Sequence, residues 1–366
     1  LITRAAVLWE RGQPLSVEEV ELAPPGPGEV LVEIKAAGVC HSDLHPAHDD
    51  WPIRTPIVLG HEGAGIVREI GDGVSHVKSG DHVVLCWAPA CGSCPYCRDG
   101  RAVLCERLDR TTYRNKLPSG GTKLRARGQD VAHFLSTACF AQHTVIPQEG
   151  AVPVPADVPF DALATVGCAV VTGIGAVTTA ARASSGSSAA IIGAGGVGLN
   201  VAQGAAIAGC EPIIAIDRRA APLAIARAFG ATHTLESPPK LPDAVRELTA
   251  GRGADFVFDT VGTPQTLADA LAATRKGGTV VLTGLSRVDA VGSVQMFPFV
   301  MQEKRLVGSA YGSGRPPEDI RRLVEWFRQG RLKLRELVSR TYSLDQVNDA
   351  LSALAASEGA RGVILL

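Results

Sequence analysis

Between Gly38 and Gly65 the chain reads G-V-C-H-S-D-L-H at one end and L-G-H-E-G-A-G at the other. Cys40 and His61 offer a thiolate and an imidazole, two ligands suited to a zinc ion that keeps an open position for chemistry. Such an ion needs a third protein ligand, and Cys168, in V-G-C-A-V-V-T-G, is the best-placed candidate. Ser42, Asp43, His45 and Glu62 lie in the same stretch. Further on stands C-G-S-C-P-Y-C-R-D-G-R-A-V-L-C. Cys91, Cys94, Cys97 and Cys105 are close enough for one loop to wrap an ion. Four thiolates would close its shell, which is the pattern of a structural zinc. An iron–sulfur cluster is a lesser alternative for the same four thiols.

The third chemical signal is glycine. In A-A-I-I-G-A-G-G-V-G-L-N-V-A, an apolar run precedes Gly193, Gly195, Gly196, Val197 and Gly198, and an amphipathic segment follows. A strand, a tight turn and a helix in that order form a dinucleotide fingerprint, with the pyrophosphate facing the helix N-terminus. Asp217 ends the next apolar run and would bind the ribose hydroxyls while repelling a 2′-phosphate. It favours NAD over NADP, although Arg218 and Arg219 beside it could receive an extra phosphate.

Elements must hold these groups in place. Val30–Ala36 alternates apolar and polar, Gly63–Gly71 and Val83–Leu85 continue the pattern, and Gly/Pro turns separate them. Short strands of this kind predict a compact barrel-like domain. After Ser188 the rhythm becomes alternating: helix 221–229, strand 232–235, helix 243–249, strand 256–259, helix 265–274, then strands 280–283 and 305–309. Helices 317–328 and 344–355 and a strand at 362–366 close the chain. This predicts an α/β protein with a doubly wound parallel sheet joined to a β-rich domain. At 366 residues, two domains are expected. The basic stretch 107–127, with Arg125 and Arg127, reads as a solvated loop.

A formal net charge of −1 and 46% hydrophobic residues give no reason to expect nucleic acid or an anionic membrane as a partner. No apolar run looks long enough to cross a bilayer. The opening residues L-I-T-R-A-A-V-L-W-E contain no long apolar region, and nine cysteines is an odd number. Both favour a cytoplasmic protein that uses its thiols for metal.

The order of these motifs closely resembles the zinc-dependent alcohol dehydrogenases of the medium-chain dehydrogenase/reductase superfamily. H-F-L-S-T-A-C-F-A-Q-H-T-V and the loop after Cys105 are similar to the liver-type and formaldehyde-dehydrogenase-like branch. The resemblance implies a GroES-like catalytic domain over 1–169, completed by 311–366, and a Rossmann NAD-binding domain over 170–310. It implies two zinc ions per chain, one on Cys40, His61 and Cys168 and one on the four-cysteine loop. Glu62 would neighbour the catalytic zinc, Ser42 would contact the alcohol oxygen, and His45 would end a proton relay. His41 and Arg361 would sit at the cofactor pyrophosphate, and Thr172 and Val197 near the nicotinamide. Trp87, with Phe140 and Leu285, would line an apolar pocket for primary alcohols, aromatic ones among them, and their aldehydes. A homodimer is expected through Arg305–Ser309 and the apolar residues 291–300, and a tetramer would be an extension of it. Two departures stand out. Pro222 replaces a cofactor-binding lysine, and His45 weakens the alternative of a thiol-adduct formaldehyde dehydrogenase. A zinc-free enone or quinone reductase would lack the Cys40, His61 and Cys168 set, and a non-enzymatic cofactor-binding protein would have little use for it.

Overall fold

The computed structural model describes residues 1–237 and 239–366. The chain divides into two compact units, Leu1–Cys168 with Arg315–Leu366, and Ala169–Gly314.

The first unit is built from β-sheet. Ile2–Leu8, Ser16–Leu22, Leu124–Ala126, Gln129–His133 and Ile57–Val58 close into a small barrel. A second, seven-stranded sheet centres on Glu29–Gly38, whose apolar residues are buried along its length. That strand pairs antiparallel with Glu62–Ile70, and the register sets Gly38 opposite Glu62. It also pairs antiparallel with Arg361–Leu365, and there Gly38 faces Val363. One strand end therefore gathers the residues after Gly38, before and at Glu62, and at Arg361, although they lie far apart in sequence. Gly38 must be glycine, because a Cβ there would come within 2.3 Å of Glu62 Oε2. The chain then enters the short helix His41–Ala47, with Cys40 as its N-cap.

The second unit carries six parallel strands in the order His233–Glu236, Ile213–Asp217, Ala189–Ile192, Ala254–Asp259, Thr274–Leu282 and Arg305–Gly308. The order reverses at Ala189–Ile192, the first strand of the sheet in sequence. Such reversal points are where open α/β sheets receive ligands. Helix Gly196–Ala208 leaves the glycine turn that follows this strand, and helices Ala220–Ala228, Leu241–Glu247 and Pro264–Ala273 link later strands. The alternation expected after Ser188 is present throughout. The strand expected at 280–283 is longer, Thr274–Leu282.

One expectation is corrected. A helical stretch, Phe160–Ala181, is long and apolar enough by length and composition to cross a membrane. Periodicity hid it, because Thr165, Gly167, Thr172, Gly173 and Gly175 interrupt the apolar residues. Of its most apolar window, 89% is buried inside the protein, as for a core helix.

Candidate metal and cofactor sites

Cys40, His61, Glu62 and Cys168 come together in the first unit, each buried, with one ligand atom apiece all within 4.8 Å of one another. Cys40 arrives from the strand Glu29–Gly38 and His61 from the turn leading into Glu62–Ile70. Cys168 arrives from a wide π-helical turn, Val166–Val170. Such turns widen a helix by one residue and recur at functional sites.

Asp43 organises the group. Its Oδ1 accepts from the Gly60 backbone N–H at 3.0 Å and lies 3.0 Å from His61 Nδ1, and its Oδ2 accepts from the Cys40 N–H at 3.1 Å. One buried carboxylate thus fixes the backbone on both sides of the cluster and the ring between them. With Nδ1 committed to Asp43, His61 Nε2 is left buried without a hydrogen-bond partner. That costs free energy unless something else occupies the nitrogen. A carboxylate behind a histidine is the usual support for a metal-binding imidazole.

The charges agree. Burial opposes a charged His61, but the Asp43 carboxylate more than offsets it and holds the imidazole well above its ordinary range. The Cys168 thiol, hydrogen-bonded to Cys40, pulls the Cys40 thiol well down, and Cys168 is driven up in return. Burial pushes the Glu62 carboxyl up to about 8. These groups compete for protons and negative charge in a buried space, and a divalent cation would relieve the competition. The donor set of two thiols and one imidazole fits zinc with an open position.

Arg361 borders the cluster, in the strand that pairs with Gly38. Its Nη1 donates to Val39 O at 2.9 Å, and its Nη2 lies 3.0 Å from Glu62 Oε1. Its side chain is 3% exposed, and its Nε and Nη2 are buried without a hydrogen-bond partner.

The second cluster occupies the loop after residue 90. Cys94 and Cys97 sulfurs are 3.5 Å apart, Cys91 and Cys97 sulfurs 4.0 Å apart, and the ligand atoms of all four cysteines lie within 4.8 Å. Tetrahedral zinc–thiolate bonds of about 2.3 Å place sulfurs roughly 3.8 Å apart. The Ser93 backbone N–H brings Cys91 down to about 6, and burial raises Cys97 to about 12. One thiol ionises at its neighbour's expense, and a dication would remove the conflict. No fifth donor completes the group among the described residues.

The glycine turn lies in the second unit. Gly193 has φ +95°, a left-handed conformation that side chains resist. A Cβ at Gly198 would sit 1.8 Å from Gly193 O, whereas a Cβ at Gly195 would meet open space. The turn is thus closed on the protein side and open at the N-cap of helix Gly196–Ala208. Asp217 Oδ2 accepts from the Ala194 N–H at 2.8 Å, which ties the turn to the end of the next strand. Arg218 and Arg219 are exposed.

Two family models match the chain. The "Alcohol dehydrogenase GroES-like domain" model covers residues 26–156, and the "Zinc-binding dehydrogenase" model covers residues 196–329. The chain belongs to the zinc-binding alcohol dehydrogenase family. "Putative alcohol dehydrogenase D" of Mycobacterium tuberculosis is 41% identical over 366 residues, 99% of each chain. The "NDMA-dependent alcohol dehydrogenase" of Amycolatopsis methanolica is 40% identical, covering 99% of this chain and 98% of its own. Among solved structures, benzyl alcohol dehydrogenase from Acinetobacter calcoaceticus matches with TM-score 0.94 and 29% identity, over 100% of this chain and 99% of that one. The resemblance read from the motifs, and the pairing of a GroES-like with a Rossmann-type architecture, therefore hold.

Within this dehydrogenase the remaining expected residues belong to both units. Ser42 and His45 sit half-buried on helix His41–Ala47, His41 is exposed, and Trp87 is half-buried. Thr172 is buried in the second unit, and Val197 is the second residue of the helix Gly196–Ala208. The pocket expectation needs correcting at Phe140. It has no exposed surface and packs in the core beneath Gly60, where a Cβ would lie 2.5 Å from its ring. A ring so enclosed has no face to give a substrate. Leu285 is 62% exposed. The sequence reading gave Asp43 no role, although a carboxylate three residues after a ligand in one helical turn was a usable signal.

Proposed function

We propose that this chain is a zinc-dependent alcohol dehydrogenase that reversibly oxidises primary alcohols, aromatic ones among them, to aldehydes with NAD. The observation that carries the proposal is the orphaned, Asp43-supported Nε2 of His61 between two buried cysteines. Cys40, His61 and Cys168 would hold the catalytic zinc, and Cys91, Cys94, Cys97 and Cys105 a structural one. Bound zinc makes a coordinated hydroxyl far more acidic, as it lowers the pKa of water from about 15.7 to about 7. Ser42 and His45, three residues apart on one helix, share a face. We assign Ser42 to accept the hydroxyl proton and His45 to deliver it outward. Glu62, held beside Arg361, neighbours the metal ligands.

We assign the catalytic role to 1–169 with 311–366, and NAD binding to 170–310 through Gly193, Gly195, Gly196, Val197, Gly198 and Asp217. The preference for NAD is supported by the Asp217 carboxylate, held at the end of the turn where a 2′-phosphate would meet it. The aromatic substrate class is supported by the likeness to benzyl alcohol dehydrogenase and by Trp87. All nine cysteines are free, which suits thiols kept for metal in the reducing cytoplasm.

A two-fold dimer is part of the proposal. Strand Arg305–Gly308 is a sheet edge, and Met296, Phe297, Val300 and Met301 on the helix before it are each more than 60% exposed. An apolar surface beside an unpaired edge favours pairing with a second copy.

The test is a panel of primary alcohols, benzyl alcohol and a hydroxymethyl-thiol adduct, each with NAD and NADP, alongside elemental analysis. Two zinc ions per chain and faster NAD reduction by free alcohols are expected. Turnover confined to the adduct would replace the substrate assignment, and higher kcat/KM with NADP would replace the cofactor assignment.

A further inference from the structure

We infer that Asp50 is a positioning residue for proton release: it holds His45 in the tautomer that accepts a proton at Nε2, with Trp51 fixing the plane of the ring. The inference rests on the relay reading of Ser42 and His45.

The helix His41–Ala47 ends in a turn that brings Asp50 back over its last residues. The His48 N–H donates to Leu44 O at 2.9 Å, and the Asp50 N–H donates to His45 O at 2.8 Å. Asp49 takes the left-handed conformation that this reversal requires, φ 63°, and its carboxylate is anchored by Arg11 at 2.9 Å. Asp50 is therefore placed by its own backbone before its side chain is considered. Its Oδ2 lies 3.2 Å from His45 Nδ1. Trp51, the next residue, stacks on the His45 ring with centroids 4.8 Å apart and planes 19° from parallel.

The chemistry follows from this geometry. A carboxylate facing Nδ1 accepts from an N–H there, so Nδ1 carries the proton in neutral His45 and Nε2 is left as the acceptor. A proton arriving at Nε2 makes an imidazolium, whose charge the Asp50 carboxylate stabilises. The imidazolium then gives the Nε2 proton to bulk water, which returns the ring to the neutral Nδ1–H form facing Asp50. The side chains are graded outward, His45 17% exposed and Asp50 30%, so the carboxylate stands at the solvent end. Asp43, seven residues earlier, does the same for His61. One short segment thus carries two carboxylate–histidine pairs, one turned toward the metal ligands and one toward solvent.

Asp50→Ala, Asp50→Glu and His45→Gln test this in the full-length protein. Nitrogen NMR of the His45 ring, without substrate or cofactor, should show the Nδ1–H tautomer in the parent and a shift toward Nε2–H in Asp50→Ala. In alcohol oxidation, Asp50→Ala should lower kcat about tenfold with KM within twofold, added imidazole should restore most of it, and Asp50→Glu should retain at least half. Thermal unfolding of Asp50→Ala within a few degrees of the parent would separate this from loss of fold. A parent-like kcat and tautomer in Asp50→Ala, beside a slow His45→Gln, would overturn the role of Asp50 and leave the relay standing. A fast His45→Gln would overturn both.

Discussion

A histidine has two ring nitrogens, and in His61 they have opposite fates. Nδ1 is 3.0 Å from Asp43, and Nε2 has no hydrogen-bond partner. Removing the carboxylate should loosen the ring without touching a ligand. Asp43→Ala is expected to weaken zinc at this site about 10–100-fold while the four-cysteine site keeps its ion. Competition with a graded chelator, followed by metal counting, checks this, and equal losses from both sites would refute it. His133 is a buried histidine of another kind. Its Nδ1 is 2.8 Å from Thr122 Oγ1, and burial, aided by Lys123, lowers it to about 3. The folded protein keeps it neutral, whereas the unfolded chain takes up a proton below about pH 6.5. Its contribution is therefore complete above that pH and declines as pH falls toward 3. Between pH 6.5 and 5 the loss is about 2 kcal/mol. Urea unfolding of the parent and of His133→Gln at pH 7 and pH 5 should show the smaller pH dependence in the variant. Equal dependence would mean that His133 does not titrate in this way.

At the scale of elements, the four-cysteine loop and the triad part company. The loop carries only short helical turns, Pro95–Arg98 and Ala102–Leu104, so an ion on its four thiolates would add substantially to what holds its shape. Cys91→Ala should release one zinc and lower stability by on the order of 3 kcal/mol, roughly 6–12 °C in Tm. Cys40→Ala should abolish turnover with a smaller change in Tm, and indistinguishable melting curves would undo this division of roles. How far such elements could be read from sequence follows from what each depends on. Strands such as 30–36 and the βα alternation after Ser188 are local patterns of burial, and they were visible. The glycine turn was visible because steric limits act within six residues. Strand register was not, since Gly38 pairs both with Glu62 and with Val363, the latter more than 300 residues away. For that reason the ion pair of Arg361 with Glu62 is invisible in the sequence. Phe140 was misread, because an aromatic residue looks the same in a sequence whether it walls a pocket or fills the core under Gly60. The long helix Phe160–Ala181 escaped because its glycines break the apolar run that reveals a helix.

At the scale of the whole molecule, the least protected surface is the helix Met296–Met301 beside the edge strand Arg305–Gly308. If two copies pair there, Phe297→Asp should give a monomer by light scattering at micromolar concentration, with both metal sites still filled. An unchanged dimer would move the interface elsewhere. The same helix holds both methionines of the chain, 80% and 67% exposed. Thioether sulfur is oxidised to a sulfoxide according to its access. The protein therefore carries its own footprinting label: brief peroxide treatment and mass spectrometry should show slow methionine oxidation in the assembled protein and fast oxidation in Phe297→Asp, with no other methionine to confuse the count.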